Sequence, residues 1–404
     1  MLPPTLVSVL VAFLAATLGT LVLNNKFRQK LKTIVNAVKS RRQLDELAAT
    51  STRNYDNLPQ VSAIFIHPIK SLRAVSLSET KFDEHGLKAD RRLMIVRPIP
   101  RSASSYFVKK NKATHRFFTQ RQSPSLATIE ASEPVEITAS GGDGEKKLII
   151  KLSSSLLPQD EHVMINVHPE FTRQLPIRYQ AGLWSDTVEV ADLGDEVAEF
   201  VAKVTSRDDE SYKDVRVVVI LKSTVREVNE RYCPDAARVG MLANLPQGGL
   251  TDGFPILVAA QASLDELNKR LKEKGRDQLP MSRFRPNIVI SNTSKPFDED
   301  NWKAIQIGTG PNATILHITK GCPRCKQSCT DQLTGERGEE PLETLSDFRA
   351  LGTSEEDVYF GQNAVINGYW WANDLNERVV SVGDPVFILT RGRPTWDSEE
   401  VQAE

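Results

Sequence analysis

Val61-Ser62-Ala63-Ile64-Phe65-Ile66-His67-Pro68-Ile69-Lys70-Ser71 opens with β-branched and aromatic residues in alternation and closes on a proline, a lysine and a serine. A period of two puts every second side chain on one face, the pattern of a half-buried strand. His67 to Ser71 reads as the exit from that strand into a loop. The same cadence continues downstream. Val75 to Phe82 reads as a second strand, His85-Gly86 as a turn and Arg92 to Val96 as a third strand. Phe117-Phe118-Thr119-Gln120-Arg121, Leu126 to Glu130, Lys147 to Leu152 and Leu175 to Val190 extend the series, with Gly141-Gly142-Asp143-Gly144 as a turn. Short strands at this spacing predict a barrel or sandwich. Residues 98–116 are rich in Ser, Lys and Arg and read as a long hairpin or exposed loop.

The later part mixes element types. Glu196 to Val204 reads as a helix, and the charged segment Asp208 to Asp214 as a boundary. Val215 to Leu221 predicts a buried strand. Gln261 to Lys274 predicts an amphipathic helix, with Leu264, Leu267 and Leu271 on one face and its acids ahead of its bases, as the helix dipole favours. Arg283-Phe284-Arg285-Pro286-Asn287 leads into the strand Ile288-Val289-Ile290. Thr314 to Ile318 and Val386 to Leu389 are further strands.

Upstream, Leu2 to Leu23 carries no charged side chain. As a helix it is about 33 Å long, enough to span a bilayer. Lys26, Arg28, Lys30 and Lys32 follow the apolar run, so an uncleaved anchor with a cytosolic body is expected rather than a signal peptide. Asn25 to Ala49 reads as a helix with Phe27, Leu31, Ile34 and Val38 at helical spacing, either on the membrane surface or as a solvated stalk. Thr50 to Pro59 is a linker. Lys and Arg number 51 against 52 Asp and Glu, which gives no case for a nucleic-acid partner.

Three of the four cysteines lie in Gly321-Cys322-Pro323-Arg324-Cys325-Lys326-Gln327-Ser328-Cys329-Thr330-Asp331. A thiolate is a nucleophile, a redox group or a soft metal ligand, and flanking cations such as Arg324 and Lys326 favour that form. A cytosolic body argues against disulfides. Zinc held by Cys322, Cys325 and Cys329 with Cys233 or His317 lacks a second knuckle motif. The spacing matches neither common ferredoxin run. Alone, the cluster says soft metal or redox.

Several stretches, in order, resemble the MOSC-domain proteins, and within them the membrane-anchored amidoxime-reducing component family. They are Ile66-His67-Pro68-Ile69-Lys70-Ser71, Gly86-Leu87-Lys88-Ala89-Asp90-Arg91-Arg92, Thr119-Gln120-Arg121-Gln122, Phe284-Arg285-Pro286-Asn287-Ile288-Val289-Ile290, Arg324-Cys325, Glu340-Pro341-Leu342-Glu343-Thr344-Leu345 and Val382-Gly383-Asp384-Pro385-Val386. The resemblance implies a β-rich mixed α/β fold. Its expected parts are a transmembrane anchor (1–24), a basic helix and linker (25–57), an N-terminal β-barrel-like domain (58–207), a MOSC β-barrel with flanking helices (208–391) and a tail (392–404).

It also implies a molybdenum cofactor, a pterin dithiolene ending in a phosphate, with Cys325 as the protein ligand to the metal. Lys70, Arg91 and Arg285 are the expected phosphate or cofactor cations, as arginine suits bidentate oxyanion contacts. Ser71 is a further donor, Asn287 a reader of the pterin edge, and Asp252 a proton donor on chemistry alone. Gly253, Phe254 and Cys329 depart from the family pattern. The implied reaction reduces N-hydroxylated compounds such as amidoximes, with electrons from a b-type cytochrome and its NADH-dependent reductase. The implied location is the outer mitochondrial membrane, with the endoplasmic reticulum as the alternative. Two other functions stay open. One is a cofactor or sulfur carrier like the MOSC part of molybdenum-cofactor sulfurases, although no Schiff-base lysine module is evident, and pyridoxal phosphate enters only as an association of the domain class. The other is a zinc-stabilised binding module.

Overall fold

The computed structural model describes residues 58–100, 113–138, 146–221, 224–234, 245–310, 313–352, 357–366 and 378–396, with scattered helical positions between 32 and 47. The expected anchor, most of the basic helix and linker, the Gly141–Gly144 turn and the middle of the 98–116 loop lie outside them. Among the described residues no helix is long and apolar enough to cross a membrane.

The alternating stretch Gln60–Ile66 forms a strand and points Val61, Ile64 and Ile66 into a core with Ile288, Ile290, Trp302 and Leu316. Its sheet partners are remote in sequence. It pairs antiparallel with Ile288–Ser291 on one side and Val75–Leu77 on the other. The complete sheet has eight strands, in the order Val75–Leu77, Gln60–Ile66, Ile288–Ser291, Ile256–Ala260, Tyr359–Ile366, Thr314–Pro323, Trp302–Ile307 and Val386–Arg391. The sheet curls until a bridge between Gln60 and Pro385, with Val61 N donating to Asp384 O at 2.9 Å, joins its first long strand to the entry of its last.

A second, closed barrel joins Arg178–Leu183, Asp186–Asp192, Arg216–Ile220, Leu93–Pro98 and His115–Phe118. Beside it lies a four-stranded sheet built on Lys146–Ser154. The helix Asp195–Thr205 packs Val197, Phe200, Val201 and Val204 into the core they share. The helix Gln261–Glu273 buries Leu264, Leu267 and Leu271 against Phe284 and Leu345. Each such leucine contributes about 1.5–3 kcal/mol by leaving water. Strand ends of the eight-stranded sheet and loops of the barrel meet at one place, and the site lies there.

Three expected strands differ in the structure. Val75 to Phe82 divides at Ser78, and its second part, Glu79–Asp83, pairs with Val379–Ser381 and Gly86–Leu87. Thr119 to Arg121 is a turn, because Gln122 Oε1 accepts from Thr119 N at 3.0 Å and from Thr119 Oγ1 at 2.7 Å. Leu126 to Glu130 begins as the 3-10 turn Pro124–Thr128 and only then becomes the short strand Ile129–Ala131. The carboxylate of Asp208 fixes that turn by accepting from Ser125 N at 3.1 Å and Ser125 Oγ at 2.7 Å.

Candidate cofactor-binding site

Three expected site residues have left-handed backbones: Ser71 (φ 71°), Arg91 (φ 48°) and Arg285 (φ 55°). Non-glycine residues held in sparsely populated backbone regions cost on the order of 1–3 kcal/mol each and gather at functional sites. Local hydrogen bonds hold them. Lys70 N donates to Leu93 O at 2.8 Å, Arg91 N to His67 O at 2.7 Å and Arg285 N to Ser282 O at 3.2 Å. All three side chains line one cavity, together with Lys70, Asp252, Asn287 and Cys325. The sequence-predicted site residues therefore converge, although they are drawn from five separated parts of the chain.

The cavity is strongly cationic. Lys70, Arg91, Arg121, Arg285 and Arg324 face it, with Asp252 as the acid in its wall. Burial, and then the charge of Arg91, lower the pKa of Arg285. Burial likewise pushes Lys70 down to about 8, although Asp252 opposes the shift. Among the described residues, Arg121 Nη1, Arg285 Nη2 and Arg324 Nε are buried without a hydrogen-bond partner. A buried donor left unsatisfied costs about 1–3 kcal/mol, more when charged. An anionic group in the cavity would remove that cost. A phosphate-bearing group whose metal accepts a thiolate thus fits the donors present.

The sulfurs separate. Cys325 Sγ accepts from Arg121 Nε at 3.3 Å. Cys322 also lines the cavity, but its Sγ accepts from Arg324 Nη1 at 3.0 Å. Cys329 is buried and donates to Glu339 O at 3.2 Å, and burial pushes its thiol up. Cys233 packs with Val228 and Val365. All four are free thiols. Among the described residues no cysteine belongs to a group of three potential metal ligands, so the zinc arrangement Cys322, Cys325, Cys329 with Cys233 or His317 is not assembled.

Asp252 and Asn287 both have protein partners at the site. Desolvation by its neighbours disfavours the charge on Asp252, although half of its side chain stays exposed, and Lys70 and Arg121 outweigh it and hold the carboxyl well below the usual carboxylate range. It accepts hydrogen bonds from Lys70 Nζ and, at 3.0 Å, from Trp184 Nε1. Asp252 is thus held as a carboxylate beside Lys70 and Arg121. Asn287 is occupied by the protein. Its Oδ1 accepts from Leu257 N at 3.0 Å and Arg91 Nη1 at 3.3 Å, and its Nδ2 donates to Phe65 O at 3.2 Å. It joins strands and orients Arg91 at the cavity wall.

Sequence reasoning gave no role to Arg121 or Trp184. Arg121 sits in the Thr119–Gln122 turn that was expected to be strand, and its guanidinium Cζ lies 4.9 Å from the Trp184 ring centroid. Its available signal was a long cation inside the polar run after the aromatic pair Phe117-Phe118. For Trp184 the available signal was a large aromatic between Gly182-Leu183 and Ser185-Asp186, a turn composition. Of the departures, Phe254 lines the cavity and meets Tyr232 edge-on at 5.8 Å.

The fold and this cavity define a two-part MOSC architecture. A model of the MOSC N-terminal beta barrel domain matches residues 58–208, and one of the MOSC domain matches residues 247–393. The chain belongs to the MOSC-domain proteins. Over 345 residues it is 27% identical to mitochondrial amidoxime reducing component 2 of Rattus norvegicus, covering 83% of this chain and 85% of that protein. It is 36% identical over 140 residues to mitochondrial amidoxime-reducing component 1 of Homo sapiens, 34% of this chain and 38% of that one. It is 34% identical over 152 residues to a molybdenum cofactor sulfurase of Aspergillus niger, a match spanning 34% of this chain and 18% of the sulfurase.

Proposed function

We infer that the chain holds a molybdenum cofactor in this cavity and reduces N-hydroxylated compounds such as amidoximes. The observation that carries the inference is the set of unpartnered guanidinium nitrogens on Arg121, Arg285 and Arg324 around a cavity that Cys325 lines. The long match to amidoxime reducing components supports it. In this reading Cys325 Sγ is the protein ligand to the metal. Lys70, Ser71, Arg91 and Arg285 hold the anionic part of the cofactor, and Asn287 keeps Arg91 aimed.

When bound, the cofactor supplies a metal able to pass an electron pair to the N–O bond. The protein must deliver protons as water leaves. Lys70 Nζ, pushed down to about 8 and hydrogen-bonded to Asp252, is suited to hold and release a proton near neutral pH. Asp252 keeps that ammonium in place. Electrons come from outside, from a b-type cytochrome and its NADH-dependent reductase. An N-terminal anchor on the outer mitochondrial membrane would raise their effective concentration.

The sulfurase match supports a second reading, in which Cys325 carries sulfur or cofactor without turnover. Turnover separates the two. Molybdenum-loaded protein is supplied with a chemical reductant and benzamidoxime, so that no partner protein is needed. Formation of benzamidine supports the reductase. Full molybdenum content with no benzamidine overturns it in favour of the carrier.

A further inference from the structure

Trp184 has no part in the cofactor assignments above, yet the fold fixes it against Asp252 of the cavity wall. It occupies the first turn position of the hairpin between Arg178–Leu183 and Asp186–Asp192, next to the Leu183–Asp186 pair. Its φ is 56°, a region that glycine, asparagine and aspartate favour and where a bulky aromatic residue is an outlier. The surroundings over-determine this strained turn. Arg226 Nε donates to Asp186 Oδ2 at 2.6 Å, Nη1 to Thr251 O at 2.7 Å and Nη2 to Asp252 O at 2.9 Å. The hairpin tip is thereby fastened to the loop that carries Asp252, Gly253 and Phe254 into the cavity wall.

The indole is oriented as well as placed. Its N–H donates to Asp252 at 3.0 Å, Arg121 Cζ lies 4.9 Å from its ring centroid, and the Phe117 ring lies 5.1 Å away at 48°. It nevertheless stays 40% exposed. Apart from its chain neighbours, nothing lies within 4 Å of the point where a side chain on Gly253 would begin, so the loop next to Asp252 leaves open space there. A rigid, half-exposed aromatic face beside a polar reaction cavity is suited to stack a planar π system.

We propose that Trp184 is a specificity-determining platform. Its indole face receives the flat, delocalised part of the substrate, so that aryl amidoximes are preferred to alkyl ones. The proposal rests on the reductase reading of the same cavity. A purely structural role, in which only the indole N–H holds Asp252, would give no such preference.

The test uses the full chain loaded with molybdenum, as wild type, Trp184→Phe and Trp184→Leu. Binding of benzamidoxime and acetamidoxime is measured by calorimetry without any electron donor, and the KM values are then measured with one. Wild type should bind benzamidoxime about tenfold more tightly than acetamidoxime. Trp184→Phe should keep that ratio within about twofold, and Trp184→Leu should abolish it, in binding and in KM. Equal affinities in wild type, or equal ratios in the Phe and Leu variants, overturn the proposal. A Trp184-dependent binding ratio without turnover of either compound leaves the platform standing and removes the reductase reading instead.

Discussion

Arg121 Nε donates to Cys325 Sγ at 3.3 Å, and the same guanidinium reaches Asp252 Oδ2 at 3.5 Å. A barrel loop of the N-terminal part thus touches the sulfur that the C-terminal part supplies. A charged donor on a thiolate sulfur draws electron density from it and fixes its direction, so it tunes any metal that the sulfur binds.

Arg121→Met keeps the length of the side chain and removes its donors. Loss of such outer contacts costs roughly 10–100-fold in metal affinity or activity. The expected result is a fall of that size in turnover per bound molybdenum. Arg121→Lys should recover only part of it, since one ammonium cannot serve Cys325 and Asp252 in the planar geometry of arginine. Wild-type turnover in Arg121→Met, measured per molybdenum, would show that the contact is incidental.

Lys70 sets a pH limit. Its folded-state pKa is lowered to about 8 from the ordinary 10.5. Between those values the unfolded chain binds more protons than the folded one, so this group makes the protein more stable as pH rises across that window. Its charge runs the other way: present below about 8, it is lost above. In the cofactor-free protein, cofactor uptake should therefore decline as pH passes about 8, while Lys70 causes no loss of thermal stability across the same window. Lys70→Arg keeps the charge and should move the decline in cofactor uptake upward, while its turnover falls because arginine releases no proton in this range. Identical pH profiles for the two proteins would remove Lys70 from the account.

Gly321 begins the cysteine segment, and Trp396 lies across it. Gly321 N donates to Thr395 O at 2.9 Å, and a Cβ on Gly321 would overlap the Trp396 ring and crowd Tyr359. Trp396 falls past the end of the MOSC match at residue 393. Gly321→Ala should destabilise the protein by about 1–3 kcal/mol through overpacking. Adding Trp396→Ala should give back part of that loss, a non-additivity visible in denaturant melts. Strictly additive effects would contradict the packing described.

Local pattern made much of the fold legible. The alternation in Val61 to Ile66, the β-branched run Val215 to Leu221 and the leucine stripe Leu264, Leu267 and Leu271 all became the elements their periods predict. The misses occurred where a side chain, rather than the backbone pattern, sets the geometry. Gln122 folds Thr119 to Arg121 into a turn, and Asp208 holds Pro124 to Thr128. Long-range pairing was also invisible. Nothing local tells Gln60–Ile66 to pair with Ile288–Ser291 while the strand Leu93–Pro98 joins a different barrel.

The same distinction holds at the site. Lys70, Ser71, Arg91, Asp252, Arg285, Asn287 and Cys325 could be named from sequence, and all line one cavity. What each one touches could not be read in advance. Asp252 is held ionised by cations from two other segments, and Asn287 is consumed by backbone groups. Arg121 gained its importance only when a turn replaced a strand.

The most direct measurement is metal content by plasma mass spectrometry on the full chain, purified from a host that makes molybdenum cofactor, beside Cys325→Ala. Near-stoichiometric molybdenum in the wild type, with clear loss in the variant, is the predicted result. Stoichiometric zinc without molybdenum, or full molybdenum in Cys325→Ala, would contradict the assignment of Cys325 as the metal ligand in this cavity.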